Sequence, residues 1–570
     1  MEKPTNMMKL ELLPDDILVN IFDNNCLSAK DLLSITIVCH RFNDACSYQG
    51  LWRSKFQDRW PWAWKKIHKG AKKKAVGLEK NWKNEVIAAL LISNKLNKIL
   101  NSLSHELYKY KNITSPILSG IFELFDYGTW GPFIILNELR EIVFNEREAD
   151  LTKHYYTRLV LYQVHQYLCQ QEFREFFHLP SQRQSLEKGA YFFAKWFQPK
   201  DFLDIEFCEI SKKFDDLSFE VQSDLKKKKP DHPAVSIELF STEEPLESTK
   251  WSEEDCDYLF DCINNHNFRG NEDYYVIHNS LLNKVLESKM GIPVTLSIIY
   301  NSVCHRLGIL LHPVNCPSHF LLKWNVPKSE KVEYIDSYGK GQRMSEGSTR
   351  LNNLTSLNSA KCICSTLEVL MRMANNTLYV GQRNLHGFDL DTDMLSAADC
   401  ICPLSSIWRR SLKGCKKVID KNPTLKKRFE NLIKESEVLL AIQQKGPKSI
   451  SCKRRSRPDG VNFATGMVMR HKLYNYTCVI FGWDETCQMP MEWIVRMNVL
   501  SLKHQNNQPF YNVLVSDGSH RYAAQENLII MEEPVLTTHS EIGRYFKTFN
   551  GTFYVPNEEL HSEYPDDEKN

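Results

Sequence analysis

Apolar positions near the N-terminus recur at helical spacing. Leu13-Pro14-Asp15-Asp16 opens a helix: proline suits the first helical position, and two acids sit where the helix dipole favours them. Ile17, Leu18, Ile21 and Phe22 then form one apolar face. Ser28 with Asp31 reads as a second N-cap, leading into Leu32, Leu33, Val38 and Phe42. A third element carries Leu51, Trp52 and Phe56, and a tryptophan cluster follows at Trp60, Trp62 and Trp64. Helical spacing with lysine-rich faces continues to about residue 184, where Tyr155, Tyr156, Leu159, Val160, Val164, Tyr167 and Leu168 line one buried face. Between 185 and 345 helices give way to short apolar strands at 319–322 and 334–336. Residues 346–445 return to helix. The stretch 446–460, with Gly446, Pro447, Pro458 and Gly460 among many bases, reads as a linker. Beyond it, β-branched and aromatic residues broken by Gly-Trp-Asp (482–484) and Ser-Asp-Gly (516–518) turns predict a small β domain over 461–557. The acidic tail, 558–570, is expected to fray. The whole is a multidomain α+β chain: a helical module (1–64), a helical region (65–184), an α+β domain (185–345), a second helical region (346–445), the linker, and a β-barrel-like domain.

A chain of 570 residues exceeds what one core fills, which agrees with that division. Its formal net charge of +2 gives no overall attraction to nucleic acid or to a membrane surface. The N-terminus lacks the apolar stretch and cleavage site of a signal peptide, and no apolar run approaches the ~18 residues of a membrane helix. A cytosolic or nuclear location is expected, with no membrane association. The 17 cysteines then read as reduced thiols, mostly buried.

Three helices in some 45 residues cannot bury all the apolar surface that the N-terminal module carries, and exposed leftovers mark a partner site. Leu13-Pro14-Asp15 with Ile17, Leu18, Ile21 and Phe22, then Asp31-Leu32-Leu33, Val38-Cys39, Phe42-Asn43 and Leu51-Trp52, resemble the F-box. The resemblance implies docking on a Skp-type adaptor of a cullin–RING ubiquitin ligase. It makes Leu13, Pro14, Ile17, Leu18, Ile21, Phe22, Leu32, Leu33, Leu51 and Trp52 the candidate adaptor-binding residues.

Residues 267–341 carry four ordered blocks: FRGNEDYY, the segment from His278 to Ile309, HPVNCPSHFLLKW and YIDSYGKG. They resemble the transglutaminase-like family. Such enzymes use a cysteine at a helix N-terminus, a histidine that activates it and an aspartate that orients the histidine. The resemblance implies that His319 matches the histidine and Asp336 the aspartate. Counting back from Gly308 puts Pro293 in the nucleophile slot, at the start of a helix with Leu296, Ile299, Tyr300, Val303, Cys304 and Leu307 on one face. Proline has no nucleophile. Cys304 lies eleven residues along the helix, roughly 16 Å from its start at ~1.5 Å per residue. Thr295 and Ser297 would need a better-organised base, and Cys316 is a displaced thiol. The pair then reads as a brace in an inert relative of an acyl-transfer enzyme. No metal or cofactor is implied: the spacing of Cys304, His305, His312, Cys316 and His319 fits no closed zinc site, and Cys362/Cys364 and Cys400/Cys402 read as buried thiols.

The last domain resembles the YccV-like hemimethylated-DNA-binding family through Phe463-Gly466-Val468-Arg470-His471, Val479-Ile480-Gly482-Trp483-Asp484, Gln508-Pro509-Phe510-Tyr511, Val515-Asp517-Gly518 and Arg521-Tyr522. That family is associated with DNA binding and with controlling which proteins a protease degrades. Residues 461–556 hold seven Lys and Arg against eight Asp and Glu, a net of −1, so little phosphate neutralisation is available. Protein binding is the expectation, with Trp483, Tyr511, Arg521 and Tyr522 as candidate contacts. Lys453–Arg457 reads as a nuclear localisation signal or a solvated linker, and Lys226–Lys229 as a solvated loop.

The domain order resembles one family, that of F-box only protein 21 and its relatives. It implies a substrate-receptor subunit of an SCF-type ligase whose partners are the adaptor, the cullin–RING core and protein substrates. Two other readings stand beside it: an acyl-transfer or deamidating enzyme using His319 and Asp336, and a DNA-linked factor acting through the last domain.

Overall fold

A computed structural model describes residues 10–71, 81–108, 115–145, 150–198, 205–316, 319–349, 351, 363–384 and 454–567. Cys362, Cys400, Cys402, Lys453, most of the 346–445 region and 446–453 lie outside the described residues. The chain divides into two compact units, Met1–Val164 with Gly446–Asn570, and His165–Lys445.

The first unit opens with four short helices: α1 (Asp15–Phe22), α2 (Ala29–Thr36), α3 (His40–Ala45) and α4 (Gln49–Arg59). A reciprocal capping box starts α2: Asp31 N–H donates to Ser28 Oγ (3.2 Å) and Ser28 N–H to Asp31 Oδ2 (2.8 Å). Lys55, on α4, is buried because its ammonium donates to the carbonyls of Asp23 and Asn24 just past α1, at 2.9 and 2.7 Å. The Trp52 indole donates to the Cys46 carbonyl at 2.6 Å. Downstream, Trp60 donates to Glu138 (2.8 Å), a buried carboxylate that also accepts from Ser93 and Arg59. That network docks the tryptophan cluster on the helices Trp82–Leu107 and Gly131–Val143.

The same unit holds the C-terminal sheet. Its strands are Val468–His471, Thr477–Asp484, Phe510–Val515, His520–Ala524 and Leu528–Ile530, all antiparallel, with Leu528–Ile530 and His520–Ala524 at the two edges. The edges do not pair with each other, so the sheet is open and no barrel closes. The expected barrel gives way to a sheet flanked by the small hairpin of Phe546–Phe549 and Tyr554–Pro556. Nor does the tail fray over its described part. Asn557 caps a helix, Glu558–Glu563, that seats Leu560 and Tyr564 in the core of the sheet domain. Asp567 accepts hydrogen bonds from the Trp483 indole (3.1 Å) and Thr465 N–H (2.8 Å). Two apolar anchors and a buried carboxylate outweigh the acidic composition of the segment.

In the second unit the helix Pro293–Arg306 is central. It is buried on every side, not only along the expected face, since Val294, Thr295, Ser297, Ile298 and Ser302 are also covered. One side packs on a four-stranded antiparallel meander of His312–Asn315, Phe320–Asn325, Val332–Asp336 and Gln342–Ser345. The helices Leu186–Phe197, Phe207–Lys228 and Thr366–Asn384 share the same core. Lys226–Lys228 form the last turn of the helix Phe207–Lys228, where cations suit the dipole, and Lys229 pairs with Asp255 at 3.0 Å. The expected loop is thus a helix end.

Candidate functional sites

The N-terminal module separates its apolar residues into two sets. Leu18, Phe22, Leu32, Leu51, Trp52 and Phe56 are buried and form its core. Five of the ten candidate adaptor contacts therefore support the surface from beneath. Pro14, Ile17 and Ile21 are exposed, Leu13 and Leu33 half-buried. The exposed set also includes Leu10, Leu12 (69%), Ile37 (85%) and Val38 (63%). Leu10, Leu12 and Ile37 were not singled out from sequence, because helical spacing cannot rank residues that flank a helix. Arg41 fixes the approach to α1: its guanidinium donates to the carbonyls of Glu11 and Leu13, both at 2.6 Å, and pairs with Asp15 at 3.2 Å.

Pairing of Leu322 with Ile335 brings the start of one meander strand and the end of the next to the same edge of the sheet. There His319 Nε2 donates to Asp336 Oδ1 at 2.8 Å. Both side chains are largely covered, 12% and 4% exposed. Asp336 Oδ1 also accepts from Gly339 N–H (3.0 Å), and Tyr338 stands edge-on to the imidazole with centroids 5.9 Å apart. Ser337 and Ser297 share a buried hydrogen bond of 2.8 Å, which ties this edge to the first turns of the central helix. Pro293 is the first residue of that helix and is itself buried. His319 and Asp336 are thus hydrogen-bonded to each other, and Pro293 stands at the start of the helix.

Two buried thiols of this unit, Cys316 and Cys304, are held toward the protonated form. Burial pushes Cys316 up to about 11, with Arg372 opposing, and raises Cys304 well above the ordinary thiol range. The Cys316 backbone N–H donates to the His319 carbonyl at 3.1 Å. Among the described residues no three His, Cys, Asp or Glu side chains group closely enough to hold a metal ion, and no helix is long and apolar enough to cross a membrane.

In the sheet domain, Trp483 and Tyr511 are core residues, not surface contacts. The Trp483 ring lies 5.2 Å from Tyr564, and the Tyr511 hydroxyl donates to Gln525 at 2.6 Å. Tyr522 is half-buried with its hydroxyl on Asp484 (2.9 Å), whereas Arg521 is exposed and pairs with Asp517 at 2.6 Å. Within the basic run, Arg455 pairs with Asp484 at 2.8 Å and Arg457 donates to the Val461 carbonyl at 2.9 Å. Those contacts give two of the bases partners within the domain, and Arg454 is exposed.

Family comparisons follow the same three regions. Residues 10–58 match the F-box-like model, 209–377 the transglutaminase-like superfamily and 461–552 the hemimethylated DNA-binding protein YccV-like model. A UPF0162 protein of Xylella fastidiosa (strain Temecula1 / ATCC 700964) is 32% identical over 139 residues, 24% of this chain and 48% of its own length. No solved structure matches. F-box only protein 21 of Mus musculus and of Homo sapiens are each 30% identical, covering 97% of this chain and 92% of their own. With 30% identity over 97% of its length, the chain belongs to the family of F-box only protein 21.

Proposed function

We propose that this protein is the substrate-holding subunit of an SCF-type ubiquitin ligase and promotes ubiquitination and proteasomal degradation of the proteins it binds. The observation that carries the reading is the exposed apolar set Leu10, Leu12, Ile17, Ile21, Ile37 and Val38 over a module whose core is otherwise complete. A Skp-type adaptor that buries this set would link the chain to a cullin–RING core. Catalysis is then by proximity: the chain brings a target to the charged conjugating enzyme and performs no chemistry itself. Affinity purification with and without a proteasome inhibitor tests this. Adaptor and cullin should co-purify with the full chain and be lost on removal of residues 1–64, and further partners should accumulate only when the proteasome is blocked. Retention of adaptor and cullin by the truncated chain would refute the assignment.

The transglutaminase-like domain acts, on this reading, as an inert scaffold. In support, Pro293, which the resemblance puts in the nucleophile slot, is buried at the helix start, and burial raises the pKa of the Cys316 and Cys304 thiols. His319→Ala is expected to cost about 1–3 kcal/mol of stability, because Asp336 loses a partner in a largely buried bond. It should alter turnover of bound proteins only to that extent. Labelling of the wild-type chain by a thiol-reactive acyl-donor probe, lost in a folded His319→Ala variant, would instead show a working acyl-transfer site.

A further inference from the structure

The tip of the hairpin between Val468–His471 and Thr477–Asp484 carries an ordered stack of rings. His471 Nδ1 accepts the backbone N–H of Leu473 (3.3 Å) and of Tyr474 (3.2 Å), which folds the chain into a tight turn. Asn475, with φ of 53°, completes it. Burial, with Arg521 nearby, lowers the His471 pKa, in keeping with a neutral ring that accepts at Nδ1. The turn sets the His471 ring 4.9 Å from Tyr474 and 4.8 Å from Tyr476, and the two tyrosine planes lie within 8° of each other. The Arg521 guanidinium caps Tyr476 at 4.3 Å.

The inner part of this stack belongs to the domain core, but its outer end does not. Tyr474 is 72% exposed and Leu473 69%. Folding alone gives no reason to order an outer tyrosine ring on a stack and leave most of it in water, whereas a preorganised aromatic surface is what a binding anchor requires. The charge around it is local and positive, although the domain is net negative. The Lys472 ammonium donates to the Glu526 backbone carbonyl, while the Glu526 carboxylate is turned to the N–H groups of Lys503 and His504. Arg521 pairs with Asp517, and Arg470, one strand position before His471, makes no ion pair among the described residues.

We infer that this hairpin tip is a docking surface for an acidic protein segment bearing an apolar side chain, with Tyr474 and Leu473 as its anchor and Lys472 and Arg521 reading its charge. The inference rests on the receptor reading and names where one class of bound protein engages. A protein segment is favoured over nucleic acid because few cations stand along the hairpin and the domain as a whole is net negative, which leaves little counterion release to drive phosphate binding. It also replaces Trp483 and Tyr511, which are buried, as the contacts of the sheet domain.

The test uses the purified full chain and fluorescent peptides with a central Phe-Leu pair flanked by glutamates, read by anisotropy. Matched peptides flanked by lysines and single-stranded and duplex DNA of similar length are run beside them. The glutamate-flanked peptide should bind at least tenfold tighter than the lysine-flanked one, and Tyr474→Ala and Arg521→Gln should each weaken it at least fivefold. Tyr474→Ala should leave the melting temperature and adaptor binding unchanged, which separates this surface from the receptor assignment. Equal binding of both peptides, binding insensitive to Tyr474→Ala, or no peptide binding overturns the inference while leaving the adaptor result to judge the receptor reading. Tighter binding of either DNA would move the surface to nucleic acid, and a Tyr474-dependent change in sedimentation of the free chain would assign it to a second copy.

Discussion

Ile21→Asp combined with Val38→Asp is expected to weaken binding of the Skp-type adaptor at least about a hundredfold, roughly 2.7 kcal/mol. Both residues are exposed, so each substitution puts a carboxylate on a surface that must become dry on binding, and the free chain loses little. Calorimetric titration of the adaptor, with a melting curve of the free variant, checks both halves. Core substitutions give the opposite pattern. Leu18→Ala or Trp52→Ala should cost about 2–5 kcal/mol of module stability and reduce binding only through unfolding. Leu13→Ala with Pro14→Ala lies between, since Arg41 holds the backbone carbonyl of Leu13 whatever its side chain. Full-strength adaptor binding by the double aspartate variant would mean that the exposed set serves another partner.

The difference between those two sets marks what could be read from sequence. Apolar spacing identified Ile17, Leu18, Ile21 and Phe22 as one face, yet only Leu18 and Phe22 turn fully inward. A helix of eight residues presents an apolar arc wide enough to serve a core and a partner at once, and periodicity does not divide that arc. Trp483 and Tyr511 misled for a related reason. Aromatic residues are common both in cores and at interfaces, and strand alternation loses its meaning where the tail helix covers a face that sequence leaves open to solvent. His319 and Asp336 were legible through the resemblance to the transglutaminase-like family, which implies a histidine and an aspartate at those positions, and the structure joins them at 2.8 Å. Tyr474 was invisible for the converse reason: its role depends on a turn fixed by His471 Nδ1, and nothing in a hydropathy pattern announces that bond.

Long-range charge pairing was equally hidden, and it supports the other large expected effect. Glu187 lies on the helix Leu186–Phe197, and Arg306 ends the central helix, 119 residues further on. Arg306 Nη1 and Nη2 meet the two Glu187 oxygens at 2.5 and 3.0 Å, Nε meets Asp215 at 2.7 Å, and Nη2 donates to Ser211 Oγ at 2.7 Å. The Glu187 side chain is 0% exposed and that of Arg306 2%. Glu187→Ala leaves that guanidinium buried with a single, partly solvated carboxylate, so a loss of about 3–5 kcal/mol is expected. For a unit of this size that is on the order of 10 °C in melting temperature. Replacing both partners, Glu187→Leu with Arg306→Met, should recover most of the loss, because the stranded charge and its desolvation penalty disappear together. The same arm of the test bears on function. Arg306 anchors one end of the helix whose other end carries Pro293, so the single variant is expected to shed any protein held by this unit as it melts, while adaptor binding and the Tyr474 hairpin, which lie in the other compact unit, persist. A single variant as stable as wild type, or a double variant no better than the single, would show that the pair is solvated in solution and that the central helix is held by apolar packing alone.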